Sequence, residues 1–95
     1  MVFRGGEVTA GTTNQCDVVV TLELTDTGGL SIEIKGSAAI PADKVSKIVE
    51  EIMDEQGISD ARILLNLNGT EKFALRARLE TAACRALRRK DKEAR

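Results

Sequence analysis

The sequence contains no histidine, no tryptophan and no tyrosine, and its aromatic residues are two phenylalanines. Without histidine, zinc sites built on imidazole are excluded, as are Ser-His and Cys-His catalysis. With so few aromatic rings the core must be aliphatic, and the stacking surfaces that bind single-stranded nucleic acid are missing. The functions open to the chain therefore need neither imidazole chemistry nor aromatic faces.

Long hydrophobic runs and a cysteine framework are also missing. No stretch approaches the roughly 20 apolar residues of a membrane-spanning helix, and the first six residues lack the apolar core of a signal peptide. The two cysteines are Cys16 and Cys84, and their spacing gives no support for a bridge. We therefore expect free thiols, no membrane contact and a cytoplasmic protein.

The length and composition fit one small globular domain spanning residues 1–95. Hydrophobic residues make up 42% of the 95, which is enough for a real core. The formal charge of −1 conceals a polarised distribution: from Lys72 onward there are nine basic and three acidic residues, so the rest of the chain is strongly acidic. Such polarity is typical of a protein that docks on a larger partner with complementary patches.

Alternating apolar residues predict three strands. The first covers residues 17–25, the second 30–35 and the third 61–68, and in each an apolar residue recurs at every second position. Residues 26–29, Asp-Thr-Gly-Gly, are typical of a tight turn, so we expect the first two strands to form a hairpin. In the third strand, Leu64 interrupts the outward polar positions.

Apolar residues spaced three and four apart predict two helices. The first begins near Pro41 and ends before Gly57, with an apolar face of Val45, Ile48, Val49, Ile52 and Met53. The second runs from about Thr70 to about Lys90, with Asn68 as the residue that starts it. Its narrow apolar stripe consists of Leu75, Leu79, Ala82, Ala83 and Ala86.

The element order is β-β-α-β-α. It predicts an α+β, two-layer sandwich in which both helices cover one face of a three-stranded, mostly antiparallel sheet. Residues 1–9 have mixed polarity and are expected to form a loose lead-in. Residues 10–17 are small and polar and are expected to form a surface loop. Residues 91–95 are expected to form a frayed basic tail.

No group of residues suited to catalysis appears. The carboxylates have no histidine or metal-ligand grouping beside them, and there is no glycine-rich phosphate loop, so we expect a non-catalytic protein without a metal site. Cys84 falls on or beside the apolar stripe of the second helix and is predicted to be a small core residue. Cys16, in the polar loop, is predicted to be exposed and open to reaction.

Two groups of residues resemble one known family. One is the loop segment Ala10-Gly11-Thr12 followed by Asp17 at a strand start. The other, after Gly69, is the helix motif Arg76-Ala77-Arg78-x-Glu80-x-Ala82-x-x-Arg85-Ala86. Together they resemble the acyl carrier protein (gamma chain) of citrate lyase, and the order of loop, strands and helices agrees over nearly the whole chain.

The resemblance implies a non-catalytic subunit of a cytoplasmic lyase complex, with lyase and acyl-transferase subunits as its partners. In that family a loop serine carries a phosphoribosyl-dephospho-coenzyme A group through a phosphodiester, which makes the carrier a phosphoprotein. A long arm on a small rigid domain raises the local concentration of the thioester at the partners' active sites. Citramalate lyase and malonate decarboxylase have related carriers, so the substrate of the parent complex stays open.

The family's attachment position falls on Gln15, which has no hydroxyl group to esterify. Three neighbours are the substitutes: Thr12 and Thr13, which can form the same ester, and Cys16, which would need a different linkage. Two interpretations therefore stay open. One is a functional carrier with a relocated arm, and the other is a family-like protein without an arm.

The armless alternative is an interaction module that docks through its basic last helix. The candidate docking residues are the arginines Arg76, Arg78, Arg85, Arg88 and Arg89. They suit an acidic protein surface, whereas we expect little nucleic-acid binding from charges without aromatic neighbours. A simpler explanation for a basic helix end is that it complements the negative end of its own dipole.

Overall fold

The computed structural model describes residues 7–93, with side chains described through Arg89. Six elements follow in order: β1 (Glu7–Gly11), β2 (Val18–Leu24), β3 (Leu30–Ala38), α1 (Ala42–Glu55), β4 (Ala61–Thr70) and α2 (Lys72–Glu93). The strands form one sheet in the order β1-β2-β4-β3. The β1–β2 and β2–β4 pairs are antiparallel and the β3–β4 pair is parallel. The predicted α+β class with a mostly antiparallel sheet is confirmed.

The core lies between one face of the sheet and the two helices. Along β2 and β4, buried and more exposed residues alternate as the sequence predicted, because successive side chains of a strand point to opposite faces. The predicted apolar faces of α1 and α2 are buried throughout. The helix α2 packs on β1 and β2, and α1 packs on α2 and β3. Within residues 7–89, the buried hydrophobic residues apart from Met53 are all aliphatic.

The predicted hairpin of the second and third elements is wrong, because β4 lies between β2 and β3. The segment between them does not close into a tight turn but passes across the start of β4. There the Asp60 carboxylate accepts a hydrogen bond of 2.8 Å from the Gly29 amide, and the Asp60 carbonyl accepts one of 3.2 Å from the Thr25 amide. With β2 and β3 held apart, α1 serves as the crossover that parallel neighbours such as β3 and β4 require.

A fourth strand, β1, forms where the sequence analysis expected the lead-in and the start of the loop. It pairs along its whole length with β2, from Glu7 opposite Glu23 to Gly11 opposite Val19. Val8 and Ala10 are buried, so this short strand follows the same alternation as its longer neighbours. Residues 1–6 of the predicted lead-in lie outside the described residues.

The last helix starts later and ends later than predicted. The strand β4 continues to Thr70, so Asn68 lies within the strand and not at a helix start, and α2 begins at Lys72. The helix continues to Glu93, while residues 94–95 of the predicted tail lie outside the described residues. Within residues 7–93, no helix combines the length and the apolar character needed to cross a membrane.

Candidate functional site

The candidate site is the segment between β1 and β2, residues 12–17, which we call the 12–17 loop. Residues 12–16 are exposed, as predicted. The residue before the loop is Gly11, the last of β1, whose φ of +107° is in the region that favours glycine. A Cβ atom at Gly11 would collide with the Val18 carbonyl. This glycine therefore lets the chain leave β1 in close contact with the start of β2.

The Asp17 side chain anchors the C-terminal end of the loop. The Arg78 guanidinium of α2 donates to both carboxylate oxygens, from Nε to Oδ1 at 3.1 Å and from Nη2 to Oδ2 at 2.9 Å. The Thr12 hydroxyl donates to Oδ2 at 2.6 Å, and the Val18 amide donates to Oδ1 at 2.8 Å. One carboxylate thus ties the first loop residue, the next strand and the last helix together.

These contacts favour the ionised form of Asp17. The hydrogen bonds from Arg78, then from Thr12 and the Val18 amide, hold the pKa of the Asp17 carboxyl well below its ordinary value of 3.8. The same pairing raises the pKa of Arg78. Because the Asp17 side chain is only 15% exposed, water competes little for these hydrogen bonds. The loop is therefore held by a charged pair across the pH range of cells.

A second set of contacts joins the loop to the junction of β4 and α2. Buried Thr70 donates its hydroxyl hydrogen to the Asp17 carbonyl at 2.6 Å and accepts from the Asn68 amide at 3.1 Å. The Cys16 amide donates to the Asn68 carbonyl at 2.7 Å, and the Asn68 side-chain amide donates to the Thr13 carbonyl at 3.0 Å. The backbone of the loop is therefore rigidly placed although its side chains face solvent.

The four predicted attachment residues lie together on this loop but differ in their surroundings. The hydroxyl of Thr12 is engaged, since it donates to Asp17 and accepts from the Asn14 amide at 3.2 Å. Within the described residues the Thr13 hydroxyl makes no hydrogen bond, and Thr13 is exposed. Gln15 is exposed as well. Cys16 is exposed and has a φ of 70°, the left-handed region that non-glycine residues seldom adopt.

The arginines predicted to dock a partner have contacts within the chain. Arg78 pairs with Asp17, and Arg76 lies 3.7 Å from Glu51 of α1. Arg85 donates to the Thr9 carbonyl at 2.7 Å and Arg89 to the Glu7 carbonyl at 3.1 Å, both on the edge strand β1. These two contacts cover carbonyl groups that an edge strand otherwise leaves open to pairing. Arg88 is exposed.

The prediction that Cys84 is a core residue is wrong. The structure places it on the exposed face of α2, where its sulfur lies 3.7 Å from the Arg88 guanidinium. Its neighbour Ala83 is buried, and one residue further along a helix turns the side chain by about 100°. Cysteine hydrophobicity suggested the core, but position around the helix decides the outcome. Both cysteines are free.

Two residues that matter at this site were not singled out from the sequence. Thr70 is a buried polar residue, 1% exposed, and links the loop to the end of β4. A threonine at the end of an apolar strand is too common for its role to be read from sequence. Phe73 is 75% exposed, and its spacing was a usable signal. It lies two positions before Leu75, and in a helix two such residues point to roughly opposite sides. The spacing therefore places the Phe73 side chain away from the buried stripe.

Comparison with known proteins identifies a family for most of the chain. Residues 6–86 match the family model described as ACP: Malonate decarboxylase delta subunit (MdcD). The match includes the 12–17 loop, the whole sheet and the buried part of α2. A search of curated proteins gave no match, and a search of solved structures gave none either.

Proposed function

Because the chain belongs to the acyl carrier family of the malonate decarboxylase delta subunit, we propose that it is a non-catalytic acyl carrier subunit. It works in a cytoplasmic complex of the decarboxylase or lyase type and presents a covalently attached acyl group to enzyme subunits. The observation that carries the proposal is the 12–17 loop, which is exposed at its tip and fixed at both ends.

The loop fits the root of a phosphopantetheine-type arm, with one exception. A phosphodiester needs a hydroxyl group, and Gln15, the position expected from the citrate lyase carriers, has none. Thr13 has an exposed hydroxyl with no hydrogen bond in the described residues, whereas the Thr12 hydroxyl is held by Asp17 at 2.6 Å. We therefore assign the attachment to Thr13. When bound, such a group supplies a terminal thiol that carries the acyl unit.

The chain's own residues then hold the attachment point still. Asp17 and Arg78 fix the loop to α2, and Thr70 and Asn68 fix it to the end of β4. A flexible arm on a fixed root samples a defined volume, so its end reaches neighbouring active sites at a high effective concentration. No residue of the loop is needed as an acid, a base or a nucleophile in this role.

The family match favours a malonate-decarboxylase type of parent complex over the citrate lyase type, since its description names the former. The proposed partners are the acyl-transferase and decarboxylase or lyase subunits of that complex. For the arm we propose the phosphoribosyl-dephospho-coenzyme A type that the citrate lyase carriers suggest. Two free, exposed cysteines are consistent with a reducing, cytoplasmic setting.

The test is the intact mass of the protein purified from its native host. A carrier shows a mass increase larger than that of phosphopantetheine alone, and peptide fragmentation places the increase on Thr13. The matched variants are Thr13→Ala, which is expected to abolish the adduct, and Gln15→Ala, which is expected to retain it. Protein made without the modifying enzymes of the host is uninformative and is not used.

A second function has one specific observation in its favour, the lack of a hydroxyl at Gln15. It is a family-like interaction module without an arm, which docks through the basic face of α2. An unmodified mass from the native host, in cells where the parent complex is active, would support this module and contradict the carrier.

A further inference from the structure

One large hydrophobic side chain stands out in the described part of the chain because it is exposed. Phe73, in the first turn of α2, is 75% accessible to solvent. Among residues 7–89 no aromatic ring is buried. Single exposed apolar residues are common, but aromatic residues, phenylalanine among them, are enriched at protein interfaces, and Phe73 lies on the helix that anchors the 12–17 loop.

The position of Phe73 relative to the 12–17 loop is set by short contacts. Glu71, two residues earlier, donates its backbone amide to the Cys16 carbonyl at 3.4 Å. Thr70 holds the Asp17 carbonyl, and Arg78, one and a half turns after Phe73, holds the Asp17 carboxylate. The same helix that fixes the loop therefore carries the exposed ring, and the two cannot move independently.

The face of α2 that carries Phe73 continues as an unpartnered surface. Ala77, Glu80 and Cys84 are all exposed, and helical spacing places them within about 40° of Phe73 around the axis. Together with Arg85 and Arg88, these three residues line a shallow depression that is open to solvent. It begins one turn from the ring. We call this surface the outer face of α2.

The charge at the far end of the outer face is positive. Arg85 donates to a neutral backbone carbonyl, that of Thr9, and Arg88 contacts the neutral sulfur of Cys84. Neither contact neutralises a guanidinium. Arg88 lies 15 residues after Phe73, which is about 22 Å along a helix. A partner that covers the outer face therefore needs an apolar pocket near the loop and acidic groups about 22 Å away.

We propose that Phe73 is the anchor by which an enzyme subunit of the parent complex binds the carrier. That subunit has an apolar pocket for the ring beside the opening of its active site and acidic side chains opposite Arg85 and Arg88. This inference rests on the proposed function. We infer that the partner is an enzyme subunit because the outer face of α2 adjoins the loop that is proposed to carry the arm. The arm alone does not require this contact, but a subunit docked on α2 beside the loop covers Phe73, because α2 both anchors the loop and carries the ring.

The experiment measures binding of the full-length chain to the purified acyl-transferase and decarboxylase subunits of the host's complex. Phe73→Ala is compared with Leu64→Ala, a truncation of a half-buried apolar residue on the opposite face of the sheet. We expect Phe73→Ala to raise the Kd at least tenfold for one of the subunits and Leu64→Ala to change it less than twofold. Thermal unfolding of both variants confirms that each is folded.

Each other outcome is decisive. If the native sequence binds neither subunit, the proposed function itself fails, and the anchor fails with it. If the native sequence binds and Phe73→Ala binds equally well, the carrier stands and the anchor is overturned. Sedimentation adds one more case: a dimer of the native sequence that Phe73→Ala converts to monomer would assign the outer face to a second copy, against the proposal.

A kinetic readout separates docking from damage to the loop. With the arm in place, loss of an anchor raises the KM for the carrier in the acyl-transfer reaction and leaves kcat nearly unchanged. A fall in kcat at saturating carrier, with no change in KM, would contradict a docking role for Phe73.

Discussion

At the scale of single residues, Asp17 joins three parts of the chain at one carboxylate: the loop through Thr12, β2 through the Val18 amide and α2 through Arg78. A bidentate guanidinium contact fixes direction as well as distance. The side chain therefore determines how the loop leaves the domain.

Acid is expected to weaken this connection in a defined window. The folded-state pKa of Asp17 is depressed below its ordinary value of 3.8, so its contribution to stability is present above that value and is lost as the pH falls through the folded pKa. Urea unfolding from pH 6 to pH 2.5 should show a stability difference between the native sequence and Asp17→Asn that shrinks toward the acid end. Parallel curves would contradict this, and Asp26→Asn, an exposed carboxylate outside the network, is the control.

Thr70 provides the sharpest stability prediction at this scale. Thr70→Val keeps the side-chain shape but removes one donor and one acceptor, which leaves the Asp17 carbonyl and the Asn68 amide without that partner. We expect the free energy of unfolding to fall by about 1–3 kcal/mol. Gln15→Ala, at the exposed tip of the loop, should change it by less than about 0.5 kcal/mol. Chemical denaturation measures both, and an equal effect would mean that the loop tip is packed structure.

At the scale of elements, α2 has a buried stripe and an exposed face with different tasks. Leu79 is fully buried, whereas Cys84 is exposed. Leu79→Ala is expected to destabilise the domain by about 2–4 kcal/mol, as core truncations of leucine do. Cys84→Ala should change the stability by less than about 0.5 kcal/mol. In the folded state both cysteines should react with a thiol reagent at rates near those of the unfolded chain, and protection of Cys84 would contradict the observed face.

Most of the strands and helices could be predicted from the sequence, because each leaves a pattern in its own residues. Period-two alternation found β2, β3 and β4, and the spacing of three and four found both helices and their buried faces. What failed were features without a local signal. Glu7–Gly11 is too short to show alternation clearly, and Cys84 was assigned by residue type although it lies about 140° around the helix from Leu79.

At the scale of the whole molecule, strand pairing was the main feature that was predicted wrongly. A turn-forming sequence between two amphipathic strands favours a hairpin, but the contact that prevents it, Asp60 with Gly29, spans 31 residues. The succession β3–α1–β4 was the usable signal for a parallel pair. The exposure of residues 12–16 was predicted correctly, whereas the anchoring of the loop by Arg78 and Thr70 depends on contacts across more than 50 residues.

The polarised charge leads to a prediction for association. Residues from Lys72 onward carry most of the positive charge, so encounter with an acidic surface should be steered electrostatically. Raising the salt concentration from about 50 mM to about 500 mM should slow association with the enzyme subunits by about tenfold and affect dissociation less. Stopped-flow mixing measures both rates. A double-stranded DNA probe that shows no binding at low salt would confirm that the charge is not a nucleic-acid site.

The pairing of Asp17 with Arg78 also bears on the order of events during synthesis. The two partners are 61 residues apart, and Arg78 is synthesised only after all four described strands, the last of which ends at Thr70. A nascent or truncated polypeptide that ends before Arg78 therefore has the loop sequence but lacks the Asp17–Arg78 pair that holds it. Recognition that depends on the Asp17–Arg78 pair therefore requires a chain that has been synthesised at least to Arg78 and has folded.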